Sequence, residues 1–142
     1  LAAKKSQSRR RIFLITGDGE LAEGSNWEAA LAAAHYGLDN LVIINDKNNL
    51  QLAGPTREIM NTDPLAEKWL AFGMQVTECQ GNDMASVVAT LEELKQEGKP
   101  NVVIAHTTKG AGISFIQGRA EWHHRVPKGD EIEQALEELK DA

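Results

Sequence analysis

An acid sits between two glycines at Gly17-Asp18-Gly19, with Glu20 beside it, and an amide pair, Asn48-Asn49, stands thirty positions further along the chain. Glycine on both sides permits a tight turn and lets a polyanion approach the main chain. A helix beginning just afterwards would point its N–H groups and the positive end of its dipole at the same spot. Any phosphate could use such a turn. Asp18 narrows the chemistry, because a carboxylate beside a polyanion repels it unless a divalent cation neutralises both, and Mg²⁺ and Ca²⁺ take oxygen ligands. Asn48 would add an amide oxygen and Leu50 its main-chain carbonyl, so Asp18, Asn48 and Leu50 are the expected ligands of a cation that holds a diphosphate. The plain alternatives are a helix cap for Asp18 and a turn former for Asn48. Asn49 reads as the turn residue.

Strand ends must hold these residues, and the hydrophobic pattern provides them. Arg11 to Thr16 reads as a strand whose consecutive apolar residues Ile12, Phe13, Leu14 and Ile15 predict burial on both faces. Gly24 to Tyr36 reads as a helix capped by Ser25 or Asn26, with alanines for close packing and Gly37 to end it. Leu41 to Asn45 is a second buried strand, 47–55 a loop carrying the Asn pair, and 65–72 a short helix with Pro64 in its first turn. Met74 to Cys79 is a third strand. Asp83 caps an amphipathic helix that runs to Gly98, with Met84, Val87, Val88, Leu91 and Leu94 on its apolar face. Val102 to His106 is a fourth strand, 107–128 a Gly-rich loop of functional length, and Glu131 to Leu139 a closing helix. This alternation predicts a single α/β domain over 1–142, a doubly wound, mostly parallel sheet with right-handed crossovers and helices on both faces. Such sheets bind ligands outside the carboxyl ends of their strands. Asp18, Asn48 and the loop from Thr107 all follow strand ends and therefore converge on one edge.

Composition bounds the partners. A formal charge of −6 argues against a nucleic-acid partner, whose protein surfaces are usually basic. No apolar run reaches the roughly 18 residues of a membrane helix, so no membrane partner is expected. The lone Cys79 rules out an internal disulfide and suits a reducing, cytoplasmic compartment, and its apolar neighbourhood makes it a strand thiol. Lys4, Lys5, Arg9, Arg10 and Arg11 read as a solvated approach to the first strand.

The surrounding words carry a resemblance. Gly17-Asp18-Gly19 followed about thirty residues on by Asn48-Asn49 is similar to the thiamine diphosphate signature. The string Gly17-Asp18-Gly19-Glu20-Leu21-Ala22-Glu23-Gly24-Ser25-Asn26-Trp27-Glu28-Ala29 resembles transketolases. So do Leu38-Asp39-Asn40-Leu41, Lys47-Asn48-Asn49-Leu50-Gln51, the run from Thr107 to Phe115 and Trp122-His123, which together extend the likeness over 10–128. It implies the thiamine diphosphate-binding fold, with thiamine diphosphate and Mg²⁺ (or Ca²⁺) as cofactors held by Gly17, Asp18, Gly19, Glu20, Asn48, Lys109 and His123. The implied reaction moves a two-carbon ketol unit from a ketose phosphate to an aldose phosphate. His123 would meet the diphosphate and the reacting centre, and Glu23 would join a carboxylate and water network between the two sites of a dimer. The chain looks like the N-terminal subunit of a split transketolase without its upstream part, since a Gly-His-Pro-Gly motif is not found and Leu1 opens it. A C-terminal transketolase subunit or domain would supply the Glu that activates the aminopyrimidine, in a homodimer or heterotetramer. One departure is His124, where the family usually has Gly.

Other readings stay open. Deoxyxylulose-phosphate synthase and the 2-oxo acid dehydrogenase E1 proteins share the cofactor, although Glu20, Glu23, Trp27 and Glu28 favour transketolase. Gly17-x-Gly19-x-x-Ala22 after a strand imitates the fingerprint of an NAD-type dinucleotide-binding module. Against it, Asp18 would face the pyrophosphate unneutralised, and Asp46 comes late for the ribose-binding acid. His35, in the Ala-rich helix, reads as structural, and His106, at a strand end, has no assigned role.

Overall fold

In the computed structural model, which describes residues 1–141, a short helix α1 (Ala2–Lys5) leads into strand β1 (Ile12–Gly17). A 3₁₀ turn at Glu20–Ala22 precedes α2 (Gly24–His35) and β2 (Leu41–Lys47), and a small hairpin of β3 (Leu50–Gln51) and β4 (Gly54–Pro55) follows. After it come α3 (Thr56–Ile59), α4 (Leu65–Ala71), β5 (Gln75–Gln80), α5 (Met84–Glu93) and β6 (Asn101–His106). A 3₁₀ turn at Ala120–His123 and α6 (Asp130–Glu138) lie beyond.

The sheet runs β1-β2-β6-β5 with every pairing parallel, as the alternating pattern predicts. Helices cover both faces. On one, Ala30 and Ala33 of α2 and Leu65 and Trp69 of α4 pack with Ile43, Val102 and Ile104. Small alanines let α2 lie close to the strands, and Trp27 fills the gap to α4 with its ring centroid 4.8 Å from that of Trp69. On the other face, Val87, Leu91 and Leu94 close over Val42, Val103, Ala105 and Cys79. Burial of Cys79 pushes its thiol pKa up, which fits the expected strand thiol.

Several local expectations are corrected. β1 is not buried on both faces: it is an edge strand with β2 as its one neighbour, and Ile12, Phe13, Leu14 and Ile15 are 45, 51, 46 and 71% exposed. Ser25 and Asn26 lie inside α2 rather than capping it, and the Asn26 amide instead donates to the Glu20 carbonyl at 2.8 Å. Asp83 does cap α5, accepting from the Ala85 N–H at 3.0 Å, but that helix stops at Glu93 and leaves Met84 and Val88 exposed. The loop 47–55 contains the β3–β4 hairpin. Pro64 stands before the first turn of α4.

The Leu38-Asp39-Asn40-Leu41 string proves to be joinery. Asn40 is buried and its side-chain amide donates to the Arg10 carbonyl at 3.3 Å, while its main-chain carbonyl accepts from the Ile12 N–H at 2.8 Å, fixing the start of β1. Asp39 accepts from Lys4 Nζ at 3.0 Å and from the Gly98 N–H at 3.1 Å. His35 lies edge-on to Tyr36.

Candidate functional site

Beyond the carboxyl ends of β1 and β2 lies a cavity of about 480 Å³. Gly17, the last residue of β1, lines it with Asp18 and Gly19 of the turn that follows and with Glu20 and Glu23 from the segment that leads into α2. Asn48 reaches it from the turn after β2 and Leu50 from the start of β3, while Lys109 and His123 come from the long segment after β6, His123 at the end of its 3₁₀ turn. Parallel pairing explains the meeting, because neighbouring strands that run the same way deliver their following loops to one rim.

Asp18 is the most constrained of these residues, at 2% exposed. Its Oδ1 accepts from the Gly19 N–H at 2.8 Å and its Oδ2 from the Asn49 N–H at 2.5 Å. Its own N–H donates to the Asp46 carbonyl at 3.1 Å, and its carbonyl accepts from Thr62 Oγ1 at 3.3 Å. Burial nevertheless raises its pKa, with the nearby Asp46 adding to the effect, because two amide bonds do not replace the water that the carboxylate has lost. A cation would complete it. Asn49 has φ +62°, the turn conformation expected of it, which brings its N–H to Asp18. Asn48 Oδ1 accepts from the Leu50 N–H at 2.9 Å, a local turn that fixes the amide oxygen at the cavity.

The glycine amides differ from expectation. Gly17 N–H donates to Glu20 Oε2 at 3.1 Å, and Gly19 N–H is the donor to Asp18 already described, so both face carboxylates. The α2 N-terminus is also set back from the turn by the 3₁₀ segment. Gly19 has a second reason to be glycine: a Cβ there would stand 2.7 Å from the Gln51 Cβ.

His123 ends the 3₁₀ turn that is anchored by Trp122, which is 8% exposed, with its ring centroid 5.4 Å from that of Phe115 and under the Arg125 guanidinium at 4.1 Å. Desolvation lowers the His123 pKa, and the charges of Lys109 and His124 add to this. The shift favours the neutral imidazole, in which one nitrogen donates and one accepts. His124 stands against it, ring centroids 4.5 Å apart. His106 goes elsewhere: its Nε2 meets Glu78 Oε2 at 2.6 Å beside a separate, smaller cavity. Glu28 is part of α2 and does not line the site. Among the described residues no three His, Cys, Asp or Glu side chains gather as a metal cluster, so a cation here must use amide or main-chain oxygens besides Asp18.

Sequence reasoning missed Asp46 and Gln51 as lining residues. Asp46 lies near the end of β2 and accepts from Thr107 Oγ1, tying the β6 loop to the rim. Gln51 enters the sequence reading only as the last residue of the Lys47-Asn48-Asn49-Leu50-Gln51 string, with no role of its own. Its place depends on the hairpin, where it pairs with Gly54.

Comparison with known proteins bears on this geometry. The family model described as transketolase, thiamine diphosphate binding domain, matches residues 3–140. One subunit of the apulose-4-phosphate transketolase of Actinobacillus succinogenes is 73% identical over 99% of this chain and 51% of its own length. The corresponding protein of Phocaeicola vulgatus is 41% identical over 99% of this chain and 50% of its own length. The chain thus spans about half the length of these curated relatives. A transketolase crystal structure from Campylobacter jejuni superposes with a TM-score of 0.91 at 29% identity, over 98% of this chain and 23% of that one. A Gly-Asp-Gly turn and an Asn-bearing turn at one rim of a parallel sheet are thus found in a chain that belongs to the transketolase family and matches its thiamine diphosphate-binding domain.

Proposed function

We propose that this chain is the cofactor-holding part of a transketolase that moves a two-carbon ketol unit from a ketose phosphate to an aldose phosphate. The observation that carries the cofactor reading is Asp18, a buried carboxylate with a raised pKa on a cavity it shares with Asn48, Leu50, Lys109 and His123. Asp18, the Asn48 amide oxygen and the Leu50 carbonyl would hold Mg²⁺ or Ca²⁺, and the cation would in turn hold the diphosphate. Lys109 adds positive charge for the phosphates, and Gly17 and Gly19 keep the turn narrow enough for their approach. Thiamine diphosphate, when bound, supplies the nucleophile and electron sink for carbon–carbon cleavage. His123, whose lowered pKa favours the neutral imidazole, would donate to a phosphate or substrate oxygen and could return a proton. Glu20 and Glu23 keep carboxylates at the rim, Glu20 by holding the Gly17 N–H.

Further polypeptide completes the site. The exposed apolar residues of β1 and the half-length coverage of the relatives support a larger assembly that includes a C-terminal transketolase subunit or domain, as a homodimer or heterotetramer. The relatives named as apulose-4-phosphate transketolase subunits favour apulose 4-phosphate as one substrate. A reducing, cytoplasmic setting suits the one free thiol; among the described residues no helix is long and apolar enough to cross a membrane.

The deciding experiment is a thermal melt of the assembled protein with thiamine diphosphate plus Mg²⁺, the same plus EDTA, and NAD alone. A ligand that binds only the folded state raises the melting temperature. A rise that needs both thiamine diphosphate and Mg²⁺ is expected. A rise with NAD alone, or one indifferent to EDTA, would overturn the cradle.

A further inference from the structure

We infer that Thr62, carried on a strap that Lys68 pins, is a positioning residue for Asp18: its hydroxyl fixes the peptide after Asp18 and so sets how tightly the site takes its cation. This rests on the cofactor reading above. The first observation is one long-range bond. Thr62 Oγ1 donates to the Asp18 main-chain carbonyl at 3.3 Å, and that carbonyl accepts from no other group among the described residues. Asp18 and Thr62 are 2 and 6% exposed, so removing the hydroxyl leaves a buried acceptor unpaired. Thr62 does not line the cavity, and it acts there only through Asp18.

The second observation is how the hydroxyl is delivered. Thr62 belongs to 60–64, the irregular connection between α3 and α4. Such connections are ordinarily free to shift. Here two lysines hold the strap. Lys68 of α4 donates from Nζ to the Thr62 carbonyl at 2.6 Å and to the Asp63 carbonyl at 3.1 Å, and Lys47, the last residue of β2, pairs with the Asp63 carboxylate. The Asn61 side chain accepts from the Asp63 N–H at 3.1 Å, a local turn that stiffens the same stretch. Every residue from Asn61 to Asp63 is thus restrained, and the restrained stretch presents one hydroxyl to Asp18.

The third step is what that hydroxyl controls. The Asp18 carbonyl and the Gly19 N–H belong to one planar peptide unit, so a restraint on the carbonyl also aims the N–H. That N–H is the donor to Asp18 Oδ1 at 2.8 Å. Glycine on both sides of Asp18 leaves this peptide unusually free to rotate, and the Thr62 bond opposes the rotation. The carboxylate that would meet a cation is therefore oriented through its own backbone. Partners that orient a ligating side chain typically alter metal affinity by about 10–100-fold.

The test compares Thr62→Val, which keeps shape and removes the donor, with Thr62→Ser, which keeps the donor. Each is measured in the assembled protein by titrating Mg²⁺ at fixed thiamine diphosphate and reading intrinsic tryptophan fluorescence, with the metal-free melting temperature recorded alongside. The expected result is a half-saturating Mg²⁺ concentration raised about 10-fold or more in Thr62→Val and near-parental titration in Thr62→Ser. Parental titration by Thr62→Val would overturn the inference, and a lower metal-free melting temperature with it would make Thr62 a structural residue only. Equal weakening by both variants would also overturn it, because packing of the methyl group would then matter and not donation. If Thr62→Val does not assemble, Lys68→Met carries the same test: it unpins the strap and should raise the half-saturating Mg²⁺ concentration, and parental titration would overturn the inference. Failure of the underlying reading looks different, because the parent protein itself would then show no Mg²⁺-dependent signal and Asp18→Ala would titrate as the parent does.

Discussion

Two aspartates at opposite ends of the sheet receive opposite treatment. Asp39, before the start of β2, accepts from Lys4 and from the Gly98 N–H, and its pKa is lowered, chiefly by the Lys4 hydrogen bond. Asp18, after the end of β1, also accepts two hydrogen bonds, yet burial outweighs them and its pKa is raised. Asp39 has its cation within the chain. Among the described residues Asp18 accepts from no cationic side chain, and Lys47, the cation that acts on it, does not offset its burial, so the two ends of the sheet differ in how far the chain itself neutralises a carboxylate.

The largest effect expected of this contrast is at Asp18. In the assembled protein, Asp18→Asn should abolish the Mg²⁺-dependent thermal shift with thiamine diphosphate, while its metal-free melting temperature reports the loss of one of the two accepted hydrogen bonds, from Gly19 or Asn49, against the relief of burying a neutral amide. Asn48→Ala should weaken the same shift. Normal metal dependence in both variants would remove the ligand assignment and leave Asp18 as a structural acid.

β1 joins the two ends, and it gives the second prediction. Ile15, 71% exposed in this chain, should be covered in the assembled protein, where Ile15→Lys would then cost at least the ~1.5–3 kcal/mol of a buried aliphatic side chain. Urea unfolding of the assembly measures it; a change under about 0.5 kcal/mol would show that the apolar strand faces solvent there too. Smaller still is Gly19→Ala, whose added Cβ would press on Gln51 and cost about 1–3 kcal/mol, read as a lower metal-free melting temperature.

β1 also shows what the sequence could and could not reveal. Four apolar residues in a row identify the strand, and the turn after it is legible because glycine, acid and glycine at a strand end have few other uses. Burial is where the pattern misleads. Ile12 to Ile15 are exposed while Thr16 and Asp18 are 3 and 2% exposed, the reverse of the usual partition, because a strand's burial depends on its place in the sheet and on what else covers it. Ser25 fails as a cap for a related reason: the 3₁₀ turn consumes the residues before it, and Gly24 already begins α2. Gln51 escapes a reading from sequence because hairpin pairing and a contact with Gly19, distant in sequence, decide where its side chain lies.

The smallest effect belongs to the finished end. Lys4 and Asp39 are partly exposed, 40 and 24% at their side chains, so breaking their pair with Lys4→Ala should cost less than about 1 kcal/mol. Its pH dependence carries the information. Because the Asp39 pKa is depressed in the fold, the pair's contribution is fully present above the ordinary carboxylate value of 3.8 and is lost as pH falls through the lower folded value. Unfolding free energies of parent and Lys4→Ala proteins should therefore differ at pH 7 and draw together below pH 3.8, with added salt narrowing the gap at pH 7. Asp18 requires the opposite trend in the metal-free protein: its raised pKa means that the folded state holds more protons than the unfolded one between 3.8 and its folded value, so its unfavourable burial is relieved as pH falls through that window. A difference between the Lys4 proteins that persisted unchanged into acid would mean that Lys4 acts through its contact with the Gly37 carbonyl rather than through Asp39, and the two ends of the sheet would then no longer be an electrostatic pair of opposites.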